Sequence, residues 1–224
     1  MSLARSRAAL AAALPLLLPL LLVLVFVMHL RSIPQFLDFK TSYTPSPPSA
    51  VVHWLAGSAT QPGLRVDPHV LAYLALPLFL LSARSLHRVA RARRPRASAF
   101  AFAVTAIGTI YLGGLFGMWT AFYDGLAHLD PRDADGAVAT FAAMSAPRGA
   151  FLLTTTLAKL AFVGFTLQGL VLWDRTIASR VAAACLVLGS ALFLAFWDLD
   201  NWMLVGSLVL AVGIAAASRV PSRG

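Results

Sequence analysis

The chain contains no glutamate and only two lysines, Lys40 and Lys159; its nine acidic residues are all aspartate, and its remaining bases are arginine. Charge is scarce altogether, at 12% of 224 residues against 59% hydrophobic, with a mean hydropathy of +0.78. So little charge excludes an ordinary soluble globular domain and marks an integral membrane protein. The single cysteine, Cys185, lies in an apolar stretch. It excludes an intrachain disulfide, a cysteine-based zinc cluster and a dithiol redox pair. Also missing are a phosphate-binding glycine loop, a nucleophile elbow, HExxH and Cys-x-x-Cys, which argues against an ATP-driven or familiar hydrolytic enzyme. The run DPRDADG fails as a calcium loop, because counting back from Gly136 puts Pro131 at the first ligand position.

What is present in quantity is long apolar sequence. A helix needs about 20 apolar residues to cross the hydrocarbon core, and six segments qualify: about 8–30, 69–88, 98–123, 150–173, 181–198 and 202–217. The expected fold is therefore all-α, one domain over residues 1–224, a polytopic bundle of six transmembrane helices. The first segment starts after Arg5 and Arg7 with the basic flank of a secretory signal, but its apolar core is too long for one and reads as an uncleaved signal anchor. Pro15 and Pro19 are expected to kink it. The segment count resembles that of small six-span bacterial inner-membrane proteins, a likeness of architecture and not of residues.

Orientation follows from the arginines, since cytoplasmic loops retain Lys and Arg. With the N-terminus inside, twelve of the eighteen bases fall on the cytoplasmic side: Arg5, Arg7, the six arginines of the 84–97 loop, Arg175, Arg180, Arg219 and Arg223. Asp174 is the only acid there. The cytoplasmic side sums to +11 and the outer side to −3, and Lys159 within the membrane completes the net +9. Both termini are thus expected in the cytoplasm of a bacterial inner-membrane protein. The basic residues flank apolar runs, so they encode topology and do not point to nucleic acid as a partner. The RSLHRVARARRPR stretch, Arg84 to Arg96, is also expected to attract anionic lipid headgroups.

Two outer segments exceed simple turns. Residues 31–68 are proline-rich and then carry SAVVHWLAG, expected to rest on the outer leaflet; 124–149 contains Asp130-Pro131-Arg132-Asp133, which predicts a helix over about 131–145.

Lys159 is the sharpest single residue. It lies about ten residues, roughly 15 Å, into the fourth span, where a charge is costly and faces a bundle interior or a watery cavity. Thr155, Thr156, Lys159 and Thr166 form a polar stripe, and Asp198 or Asp124 is the expected partner of the ammonium. The functional reading is a proton relay or anion-binding residue; the alternative is a structural ion pair.

The outer side also gathers histidine and aspartate, ligands suited to a transition metal. Asp124 and His128 stand at i,i+4, and His69, Asp198, Asp200 or His29 could complete an outward-facing centre. Solvated loop residues are the plainer alternative, and no cofactor is required by any motif. Gly113-x-x-x-Gly117 in the third span is the small-xxx-small pattern of close helix packing, within the bundle or against a partner subunit or second copy. Gly164 and Gly169 suggest that spans three and four are neighbours. Two functions stay open: a non-enzymatic transporter-like or accessory bundle centred on Lys159, favoured by the missing motifs, and a membrane enzyme or metal protein using the outer His/Asp set.

Overall fold

A computed structural model of the chain describes residues 3–29, 68–127, 130–133, 135–136, 139–140, 143, 148–197 and 200–220. The described residues are 89% helical, without strands, and form an all-α membrane bundle. Six helical segments build it. The first is α1 (Leu3–His29); the second is α2 (Pro68–Leu74) continued by α3 (Leu76–Arg91); the third is α4 (Pro95–Ala127). The fourth is α5 (Gly149–Ala158) continued by α6 (Leu160–Leu172), followed by α7 (Ile177–Ala195) and α8 (Asp200–Ala217). Four of them, Val70–Arg91, Pro95–Ala121, Gly149–Leu172 and Ile177–Ala195, are long and apolar enough to cross a membrane; Leu14–Val27 and Asn201–Ala217 are apolar but shorter.

The breaks have local causes. Pro77 stands at the start of α3 without an N–H to give to the preceding turn, so the ladder resets at Ala75. Pro95 likewise opens α4 after the turn at residues 92–94. Thr176 caps α7, its hydroxyl accepting from the Ser179 N–H at 3.2 Å.

α1 runs through both prolines. Pro19 has no N–H, so the Pro15 carbonyl one turn earlier loses its helical donor. Ser82 of α3 donates its hydroxyl to that carbonyl at 2.9 Å, which restores the bond and fastens α1 to the bundle.

The packing closes into a ring in the order α1, α3, α4, α6, α7, α8 and back to α1, and α3 also touches α6 across it. The middle is aromatic. Phe162 stacks on Phe193 with ring centroids 4.2 Å apart, Phe79 meets Phe162 edge-on at 5.7 Å, and Phe165 closes on Phe79 at 6.1 Å. All four are fully buried.

α4 packs against α6, so the third and fourth segments are neighbours, and their backbones approach most closely at Gly108 and Gly164. A Cβ on Gly108 would fall on the backbone of Leu160 and Ala161, and one on Gly164 would fall on the backbone and hydroxyl of Thr105. Only glycine allows this approach. Gly113 and Gly117 turn elsewhere: a Cβ there would come 3.1 Å from the end of Leu76 and 3.6 Å from Tyr73. The small-residue pattern therefore lies against side-chain ends of the second segment, tightly at Gly113 and at ordinary distance at Gly117, and the closest backbone contact is made elsewhere on the helix, at Gly108.

Of the two segments expected on the outer side, 31–67 lies outside the described residues, including SAVVHWLAG. Pro131–Asp133 forms a single 3-10 turn, with the Asp130 carboxylate accepting from the Arg132 N–H at 2.9 Å. Beyond it, residues 135–136, 139–140 and 143 are helical, and the Thr140 hydroxyl donates to the Gly136 carbonyl at 2.9 Å.

Candidate functional site: two charged ends around a filled centre

Lys159 sits where α5 gives way to α6, at φ −61° and ψ −22°, a tightened turn close to 3-10 geometry. The next two residues are those that meet Gly108, so the break and the backbone contact coincide. Its side chain is half-buried, and the ammonium rests over the Trp197 ring, 5.4 Å from the centroid. Trp197 follows the C-terminal end of α7, so the lysine stem reaches from mid-segment to bring its charge to an aromatic ring near that end of the bundle. Phe162 meets Trp197 edge-on at 6.2 Å, Phe196 stacks on Trp202 at 4.6 Å, and Trp119 meets Phe151 at 5.9 Å. Among the described residues, Trp197 is the aromatic ring that meets the ammonium.

The expected carboxylate partners of Lys159 fall outside this description: Asp198 is not among the described residues, and the side chain of Asp124 is not described. The same holds for the outward metal set, in which the side chains of His69, Asp124 and Asp200, and the whole of His128 and Asp198, lie outside it, as does the side chain of His29. Among the described residues no group of three histidine, cysteine or acidic side chains converges on a metal position.

The polar stripe of the fourth segment divides. Thr166 donates its hydroxyl to the Phe162 carbonyl of its own helix at 3.1 Å, Thr156 is exposed, and the Thr155 hydroxyl is buried without a hydrogen-bond partner among the described residues. Gln168 is fully buried with neither amide atom bonded among the described residues. Nothing in the apolar periodicity singled it out.

The opposite end holds the arrangement that the sequence pointed to least directly. Arg93, in the turn between α3 and α4, pairs with Asp174 in the α6–α7 connection at 3.2 Å; their side chains are 10% and 21% exposed. Arg93 also donates to the Ser179 hydroxyl at 3.3 Å, Ser179 donates to the Leu172 carbonyl, and Arg180 donates to the Asp174 carbonyl at 3.3 Å. Two connections are thereby tied into one knot. Asp174 was visible as the lone acid among the arginines of this end, and that isolation was the available signal. Beside the knot, the His87 ring shares a 2.8 Å hydrogen bond with Ser98 and lies over Phe102.

Compared with protein-family models, curated proteins and solved structures, the chain finds no match in any of the three. Its function therefore has to be argued from the arrangement itself.

Proposed function

We propose that this chain is a non-catalytic, multi-pass protein of a bacterial inner membrane, crossing six times with both termini in the cytoplasm, and that it serves as an accessory bundle for a partner subunit or a second copy. The carrying observation is the filled centre. Phe79, Phe162, Phe165 and Phe193 occupy the axis along which a substrate path between the helices would run. Lys159 is held at the rim by Trp197, which fits a packing cation better than a carrier of protons or anions through the membrane. The charge split supports the orientation, because the arginine-rich connections cluster at one end of the ring.

The test is native mass spectrometry of the gently solubilised full chain. A defined stoichiometric assembly, with another polypeptide or as a homo-oligomer, is expected. A bare monomer would overturn the accessory role, and a stoichiometric metal lost on His128→Ala would move the protein to the outward His/Asp centre. Orientation is read separately: in a Cys185→Ala background, Ser46→Cys should label from outside and Arg94→Cys only after permeabilisation.

A further inference from the structure

At the basic end, a cavity of about 30 Å³ opens between α1, α3 and α8. Pro15, Leu86, Val89 and Ile214 wall it, and Ser85 and Ser218 supply its hydroxyls. A water needs about 10–15 Å³, so the space takes two oxygen-sized groups and no whole ligand. It is a notch for part of something larger. The Ser85 hydroxyl makes no hydrogen bond among the described residues, whereas that of Ser218 donates to the Ala215 carbonyl at 2.7 Å. Ser85 is therefore the available donor.

Charge surrounds the notch. Arg84 and Arg88 flank Ser85 on α3, Arg219 follows Ser218, and all three are exposed. Asp174, the one acid among the described residues of this end, is engaged by Arg93. Among the described residues none of these three arginines forms an ion pair, which makes the surface complementary to an anion.

The helices also sort polarity along their length in the order of an amphiphile. On α3, Leu81, Ser85 and Arg88 stand at i, i+4 and i+7, so one face passes from an apolar side chain, 41% exposed, through a hydroxyl to a cation. On α8, Leu208 and Val212, 51% and 53% exposed, stand at i and i+4, and Arg219 lies in the turn just past the helix end. Acyl chain, ester region and phosphate follow that sequence in a lipid. A free phosphate would make no use of the apolar part.

We propose that this notch is a binding site for an anionic phospholipid, with Ser85 donating to a phosphate oxygen, Arg88 and Arg219 closing on the phosphate, and the acyl chains lying along Leu81 and Val212. The site differs from a diffuse polybasic loop in using α8 and in leaving Arg94 and Arg175 outside it. It does not depend on which side of the membrane the basic end faces.

The experiment uses the full chain in nanodiscs of phosphatidylcholine with added phosphatidylglycerol, scoring retained lipid by native mass spectrometry and melting temperature in parallel. The wild type is expected to keep phosphatidylglycerol in preference to phosphatidylcholine. Arg88→Gln with Arg219→Gln should weaken that preference about thirtyfold, the effect of two near-surface arginine contacts. Ser85→Leu fills the notch with every charge retained and should weaken it as well, while Arg88→Lys with Arg219→Lys should keep most of it. Arg94→Gln with Arg175→Gln should leave it unchanged. Equal losses in the two Arg→Gln pairs would overturn the site in favour of diffuse attraction. An unaffected Ser85→Leu variant whose melting in pure phosphatidylcholine matches the wild type would also overturn it. So would inorganic phosphate alone reproducing the stabilisation given by phosphatidylglycerol, which would make the ligand a free anion.

Discussion

Replacing Asp174 with Asn removes the carboxylate from a pair that is mostly out of water. Arg93 keeps only 10% of its side chain exposed, and its second terminal nitrogen is buried without a hydrogen bond among the described residues, so the guanidinium left behind has little solvent to turn to. Breaking a buried pair by deleting one partner costs about 3–5 kcal/mol. Asp174 retains 21% exposure and water can partly compensate, which places the loss near the lower end, about 3 kcal/mol. For a chain of this length that lowers Tm by roughly 6–12 °C. Thermal unfolding in nanodiscs would be followed for Asp174→Asn, Asp174→Leu, Arg93→Met and the double variant Arg93→Met with Asp174→Leu. The pair variant should be more stable than Asp174→Asn by about 2 kcal/mol or more, because two apolar side chains at the site leave no charge stranded. Strict additivity of the two sites, or an Asp174→Asn loss below about 1 kcal/mol, would refute the view that this pair locks the two connections together.

Further expectations rest on single contacts. Gly164→Ala is expected to force α4 and α6 apart and destabilise by about 3 kcal/mol, whereas Gly113→Ala and Gly117→Ala, which meet only side-chain ends, should stay within about 1 kcal/mol; melting curves of the three variants decide it. Ser82→Ala leaves the Pro15 carbonyl without a donor and should cost about 1 kcal/mol in the same assay, with no loss pointing to an alternative donor. Lys159→Met, which keeps most of the stem and drops the charge, is expected to melt above Lys159→Ala, and an equal or reversed order would refute a packing role for the stem.

The membrane class and the all-α bundle were legible from composition and from the spacing of apolar runs, because those properties follow from hydrocarbon thickness and backbone hydrogen bonding and need no partner residue to be known. Even the break after residue 75 has a local cause in Pro77 that any reader of the sequence can point to. The glycine contact was legible in kind and not in place. Gly113 and Gly117 form the recognisable spacing, yet Gly108 and Gly164 make the backbone approach, since the rotation of one helix about another decides which face is inside. Asp174 could be seen as an isolated acid, but its choice of Arg93 from many arginines required two distant connections to be brought to one point. The same holds for Ser82 and the Pro15 carbonyl, 67 residues apart, and for the fully buried amide of Gln168. Local sequence determines that a segment is helical and apolar enough for a bilayer; which of its faces meets another helix, and therefore which polar groups are satisfied, is set by long-range packing that acts on all six segments together.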